Sequence, residues 1–244
     1  MILILGSTHD DILYYESVMT NRKDETIFGF VKMEYGSIFN QEVAIVYDIY
    51  TSYLSSLVTN YIIQKYFVIL VFVVGKCVAY SPNVQPGDIT ISKRVILGDV
   101  DQVREANVKL GQIPHLPRSL ESPDEVISFL TAALEKRTFS RYDIATFISS
   151  NGIIDKTEKA EHLIMNEYVL GHKNNVVFDC TSGGAFLACA LAKIPVVAIK
   201  VVEFVINNPS NADTYINVLK QYSAVGRAVV TSIGDIGRND IMKE

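Results

Sequence analysis

Five short apolar runs rich in Val and Ile, at residues 2–5, 43–46, 68–74, 144–148 and 196–202, continuous rather than alternating and broken only by Thr146 and Lys200, recur along the 244 residues. Side chains on a strand alternate between its two faces, so a run with no polar alternation needs cover on both sides. Each run therefore reads as a strand buried within layers. Between the runs lie segments of helical pattern at 52–65, 156–168, 183–192 and from 211 onward. A further helix is marked by Ser122-Pro123-Asp124-Glu125. Here Ser122 is expected to cap, Pro123 to take the first helical position and Glu125 to complete a capping box. Val126, Ile127, Leu130, Ala133 and Leu134 follow as one buried stripe. Strands alternating with helices imply an α/β fold, a mixed or parallel sheet wrapped by helices. No linker, repeat or low-complexity tract interrupts residues 1–244, which are expected to form a single domain. The long polar stretch 98–122 reads as a functional or interfacial loop.

Lys and Arg number 22 against 27 Asp and Glu, a net charge of −5. Nothing here would neutralise nucleic-acid phosphates or an anionic membrane surface, so neither is an expected partner. The greasiest stretch, 66–74, is nine residues long, whereas a membrane-spanning helix needs about 20. The N-terminal segment has no basic leader or small-residue cleavage site, so no signal peptide is expected. Cys77, Cys180 and Cys189 form no close pair and sit in apolar contexts, which points to a reducing, cytoplasmic compartment.

The commonest zinc, redox and NTP signals, HExxH, CxxC and GxxxxGK[ST], are absent. His9, His115, His162 and His172 have no metal-ligand spacing. No metal and no cofactor is expected. The polar residues to search are those at the carboxyl ends of strands, where open α/β sheets place their ligands. These are Asp10-Asp11, Gly75-Lys76-Cys77, Ser149-Ser150-Asn151-Gly152, the stretch from Lys200 to Phe204, and Asp179-Cys180-Thr181-Ser182-Gly183-Gly184. Paired Asp residues after a strand can equally be helix caps, and Ser-Gly-Gly can equally be a turn before a helix.

Three further stretches carry a family likeness. Pro86-Gly87-Asp88-Ile89-Thr90-Ile91-Ser92 resembles VGD(I/V)xxS, Gly111-Gln112-Ile113-Pro114 resembles GQ(I/L)P, and Ile194-Pro195-Val196-Val197-Ala198-Ile199-Lys200 resembles VPFVVVR. In this order they resemble the nucleoside phosphorylase superfamily, and most closely its bacterial methylthioadenosine/S-adenosylhomocysteine nucleosidases. The resemblance implies a three-layer α/β/α sandwich with a mixed central sheet. It also implies a homodimer in which Pro114 nears the neighbouring cleft, and a small-molecule nucleoside as ligand. The implied reaction is hydrolysis of the bond between a purine and its sugar. One acid protonates the base while a second carboxylate orients the attacking water, a division that suits the opposite proton demands of the two steps.

Carried over, the resemblance places Asp11 where the family's water-binding Glu stands. The family's acid on the last strand is replaced by Phe204, with Glu203 beside it. Neighbouring strand residues face opposite ways, so Glu203 can serve only if the chain bends or the register shifts by one. The family's glycine-rich TGSAGG becomes Val74-Gly75-Lys76-Cys77-Val78-Ala79. Its ribose-binding Glu becomes Thr181, with Asp179 and Cys180 alongside, and its base-stacking pair becomes Ile153-Ile154. The loop at Asp48-Ile49-Tyr50-Thr51-Ser52 keeps none of the family's glycines. These departures describe a degenerate site. They leave two readings open, a nucleosidase of methionine salvage with a rebuilt acid and an inactive nucleoside-binding or scaffold homologue. Lys76 and Lys200 could meet an anion if both face the cleft.

Overall fold

The computed structural model describes residues 1–80, 83–137, 140–164, 175–206 and 212–239. All five apolar runs lie in or overlap strands of one sheet, ten-stranded among the described residues: β1 (Ile2–Leu5), β4 (Gln41–Tyr47), β5 (Leu70–Ala79), β8 (Tyr142–Ser149) and β10 (Val196–Val205). The reason these runs do not alternate is visible in β1, where Ile2 and Ile4 enter one core and Leu3 and Leu5 the opposite one. On one face the core is completed by helices α1 (Leu13–Val18), α4 (Asp124–Arg137) and α7 (Ala212–Asn239), through side chains such as Tyr15, Leu130 and Val229. On the other face stand α2 (Ser52–Lys65) and α6 (Ser182–Ala192), with Val58, Ile62 and Phe186. The result is the mixed α/β architecture expected, with helices on both faces of a central sheet. Helix α5 (Thr157–Ile164) covers a smaller third core with Val78, Ile148 and Phe178.

Four further strands on the main path are β2 (Thr20–Ile27), β3 (Val31–Ile38), β6 (Ile89–Leu97) and β9 (Asn175–Asp179). The order is β10-β6-β8-β9-β5-β1-β4-β3-β2, and β10 also pairs with β5. Strands β5, β10, β6, β8 and β9 therefore close into a ring. Pairing is parallel for β1 with β4 and β5, for β5 with β10, and for β8 with β6 and β9. It is antiparallel for β2–β3, β3–β4, β5–β9 and β6–β10.

The apolar-run pattern missed β2 and β3. β2 is a charged edge strand exposed over most of its length, a common way of discouraging strand addition at a sheet edge. The stretch 98–122 is not one long loop: α3 (Val103–Ala106) interrupts it and β7 (Ser119–Glu121) pairs with β6. The Ser122 hydroxyl, expected to cap α4, instead shares a 2.7 Å hydrogen bond with Ser92, whose oxygen accepts the Ala198 N–H at 2.9 Å. Tertiary pairing there has taken over a local capping group. The helix expected over 156–168 is observed from Thr157 to Ile164, and its remainder, like His172 and Asn211, lies outside the described residues.

Candidate active site

The segment Gly75-Lys76-Cys77 does not follow a strand but lies inside β5, which runs on to Ala79 to pair with β9. β10 lies parallel beside it, with Lys200 opposite Gly75, Val201 opposite Lys76 and Val202 opposite Cys77. The next pair is Phe204 with Val78. Glu203 is thus the extra residue of a β-bulge, the shift by one on which its participation depended. A bulge breaks the strict alternation of side chains. Here Glu203 and Phe204 both line the same cleft, of about 370 Å³.

Of the residues singled out in the sequence, Lys76, Cys77, Ile153, Ile154, Asp179, Cys180, Glu203 and Phe204 line this cleft, together with Ser7, Thr8, Tyr50, Val78 and Phe178. Tyr50, Phe178 and Phe204 give it aromatic faces that the Ile153-Ile154 wall lacks. Phe178 was hidden in the short strand β9, and Tyr50 in a loop read only for its missing glycines. Asp11, Gly75, Thr181 and Pro114 do not line it. Pro114 is half-buried in the turn where the Leu116 N–H bonds to the Ile113 carbonyl.

Asp11 is buried just behind Ser7 and Thr8, in a 3-10 turn (His9–Asp11) that follows β1. Its Oδ2 accepts the Thr8 N–H at 2.8 Å, while Oδ1 has no partner. Burial pushes its carboxyl above the ordinary value, against the opposing pull of the Thr8 hydrogen bonds and the Lys200 ammonium. Gly75, at φ +124°, makes room for it, since a Cβ there would stand 3.0 Å from Asp11 Oδ2.

Lys200 is 1% exposed, and its Nζ lies 2.6 Å from Asp179 Oδ2 and 2.7 Å from the Thr181 hydroxyl. Burial alone would push the Asp179 carboxyl up. The Lys200 ammonium and the Ser182 donors override burial and hold it below the usual carboxylate range. Lys76 lies 2.7 Å from Glu203. Both lysines therefore have carboxylate partners, and the anion pairing considered for them is taken up within the chain. Burial pushes the Cys77 thiol up to about 12, so it stays protonated at neutral pH and is a poor nucleophile. Among the described residues no three His, Cys, Asp or Glu side chains gather as metal ligands.

A family model described as the phosphorylase superfamily matches residues 7–233. A 5'-methylthioadenosine/S-adenosylhomocysteine nucleosidase of Staphylococcus haemolyticus is 24% identical over 159 residues, 65% of this chain and 68% of its own length. The structure of a putative methylthioadenosine nucleosidase from Weissella paramesenteroides superposes with a TM-score of 0.85 at 16% identity, covering 96% of this chain and 97% of that one. The nucleosidase of Neisseria meningitidis, solved with methylthio-immucillin-A, gives 0.84 at 16% identity, with 96% and 98% covered.

Proposed function

Because this chain belongs to the phosphorylase superfamily, we propose that it is a nucleosidase-like protein whose cleft takes a purine nucleoside such as methylthioadenosine or S-adenosylhomocysteine. The reaction is hydrolysis of the N-glycosidic bond. Asp11 orients the water, Asp179 holds the sugar, and Glu203 is the acid that protonates the departing base, with Phe204, Phe178 and Tyr50 as apolar walls. The observation that carries this reading is the bulge in β10, which lets Glu203 share the cleft with Phe204. Base departure from an oxocarbenium-like transition state needs a proton donor at the base and an acceptor at the water. Glu203 and Asp11 are carboxyls that can divide those tasks, and the raised pKa of Asp11 suits an acceptor that must take up a proton.

The test is free-base release from methylthioadenosine, S-adenosylhomocysteine, adenosine and inosine, with and without phosphate. Release without phosphate is expected, falling about 100-fold or more in Asp11→Asn and in Glu203→Gln. Release that either variant leaves unchanged removes that residue from the mechanism. A second reading, an inactive nucleoside-binding or scaffold homologue, is favoured by the Lys76–Glu203 ion pair, which draws the acid away from a base. Silence across the whole panel, with nucleoside still bound, would select it.

The same reading makes the protein a homodimer with Pro114 near the partner's cleft. Support comes from the apolar surface beside the cleft mouth, where Tyr50, Tyr53, Leu57 and Ile153 are each more than half exposed. Free Cys77, Cys180 and Cys189 fit a cytoplasmic protein of nucleoside and methionine salvage. Among the described residues no helix is long and apolar enough to cross a membrane.

A further inference from the structure

A second groove, of about 460 Å³, lies between the turn that follows β1, helix α1 and helix α7. It is lined by Asp10, Leu13, Tyr14, Leu219, Tyr222 and Ser223, none of which lines the cleft described above. Its volume is in the range of small-molecule sites. One wall is fixed from behind. Tyr14 packs on α7 at Gly226, where a Cβ would stand 2.6 Å from the Tyr14 Cδ1, and Tyr15 meets the same ring edge-on with 6.5 Å between centroids. Glycine is unfavourable inside a helix, and here it seats the ring. Leu13 and Leu219 are 47% and 39% exposed, apolar walls left open to solvent. Asp10 is also exposed, and its carboxylate has no ion-pair or hydrogen-bond partner among the described residues. Among those residues no Lys or Arg lines the groove. Arg227, one turn further along α7, donates to the Ser223 hydroxyl at 2.9 Å.

A carboxylate beside two tyrosine rings is matched by a cation carried on an apolar body. The charge meets Asp10 and the negative ring faces, while the body covers the two leucines. An anion is repelled by Asp10, and a neutral apolar ligand leaves that carboxylate unused. We infer that this groove is a second binding site, for a small organic cation such as a primary ammonium on an aromatic or aliphatic body. The inference stands apart from the nucleoside reading. The turn that carries Asp10 also carries Asp11, so a cation held there sits one residue from the carboxylate proposed to orient water.

The experiment titrates the whole protein at neutral pH with three probes of one shape, 2-phenylethylamine, 2-phenylethanol and phenylacetate, which are cationic, neutral and anionic. Binding is read by calorimetry and by saturation-transfer NMR. An exposed ion pair and a cation over a ring together favour the amine by roughly tenfold over the alcohol. Phenylacetate is expected to bind more weakly than the alcohol, and the advantage of the amine to shrink at high salt. Asp10→Asn, a change at an exposed side chain, is expected to bring the amine down to the level of the alcohol. Tyr14→Leu keeps the wall apolar but removes a ring, and is expected to weaken the amine about threefold while changing the alcohol less. Equal affinity of the parent for amine and alcohol would overturn the inference, as would absence of amine binding at millimolar concentration. Amine affinity that Asp10→Asn leaves unchanged would overturn it too, since the amine would then sit elsewhere, the cleft with Glu203 included.

Discussion

Replacing Lys200 by Met would leave Asp179 buried among hydroxyl and N–H donors but without a counter-charge. Both side chains are almost fully buried, and breaking a buried pair from one side costs about 3–5 kcal/mol, mostly through the charge left behind. Lys200→Met is therefore expected to lower the urea unfolding free energy by about that amount at neutral pH. The sign of the pH dependence follows from Asp179, whose folded-state carboxyl lies below the ordinary value of 3.8. In the parent protein its contribution is present above the unfolded value and is lost as pH falls through the lowered folded value. The gap between parent and variant should narrow on acidification. A gap that is constant from pH 7 down to acid unfolding would contradict this account of the pair. The pairing of Lys200 with Asp179 was not legible in the sequence, where 21 positions separate the two; it appears only once β10 and β9 have each paired with β5, which brings Lys200 to the end of β9.

At the scale of elements, α2 and α6 approach closely enough that Gly184 has no room for a side chain. A Cβ at Gly184 would lie 1.8 Å from the Ser52 carbonyl oxygen and 2.7 Å from the Ser56 nitrogen. Both neighbours are backbone, so the helices themselves must part. Gly184→Ala is expected to cost about 3 kcal/mol or more, the upper end of overpacking. Gly152, whose Cβ would meet nothing within 4 Å, is the control, and Gly152→Ala should stay within about 0.5 kcal/mol of the parent. Thermal melts of both variants decide the point, and equal melting temperatures would refute the close-packing account. In the sequence Gly184 reads only as part of a turn before a helix or of the helical segment 183–192, since the neighbours it yields to, Ser52 and Ser56, are 132 and 128 positions away. The bulge in β10 is the same kind of finding. The run 196–202 marks a buried strand, but nothing local shows that Glu203 is skipped by the partner strand.

At the scale of the whole molecule, the exposed apolar face of α2 is the surface proposed to meet a second copy. Leu57→Glu and Tyr53→Glu place charge on side chains that are 60% and 70% exposed, so the fold itself should tolerate them. Sedimentation is expected to show a dimer for the parent and a monomer for the doubly substituted protein. A parent that sediments as a monomer, or a variant that stays dimeric, would move the interface elsewhere or remove it.

The sequence by itself determined the layering and the family. Continuous apolar runs, helical stripes and motifs such as Gly111-Gln112-Ile113-Pro114 are properties of neighbouring residues, and burial on both faces of a strand is written into its own composition. Tertiary structure decided the chemistry of the cleft. Lys76 and Glu203 are 127 positions apart when they meet at 2.7 Å, and the closing of β5, β10, β6, β8 and β9 into a ring sets which side chains converge. Such pairs depend on register between distant strands, where one inserted residue redirects a side chain from one face to another. Periodicity along a single chain segment carries no record of that register.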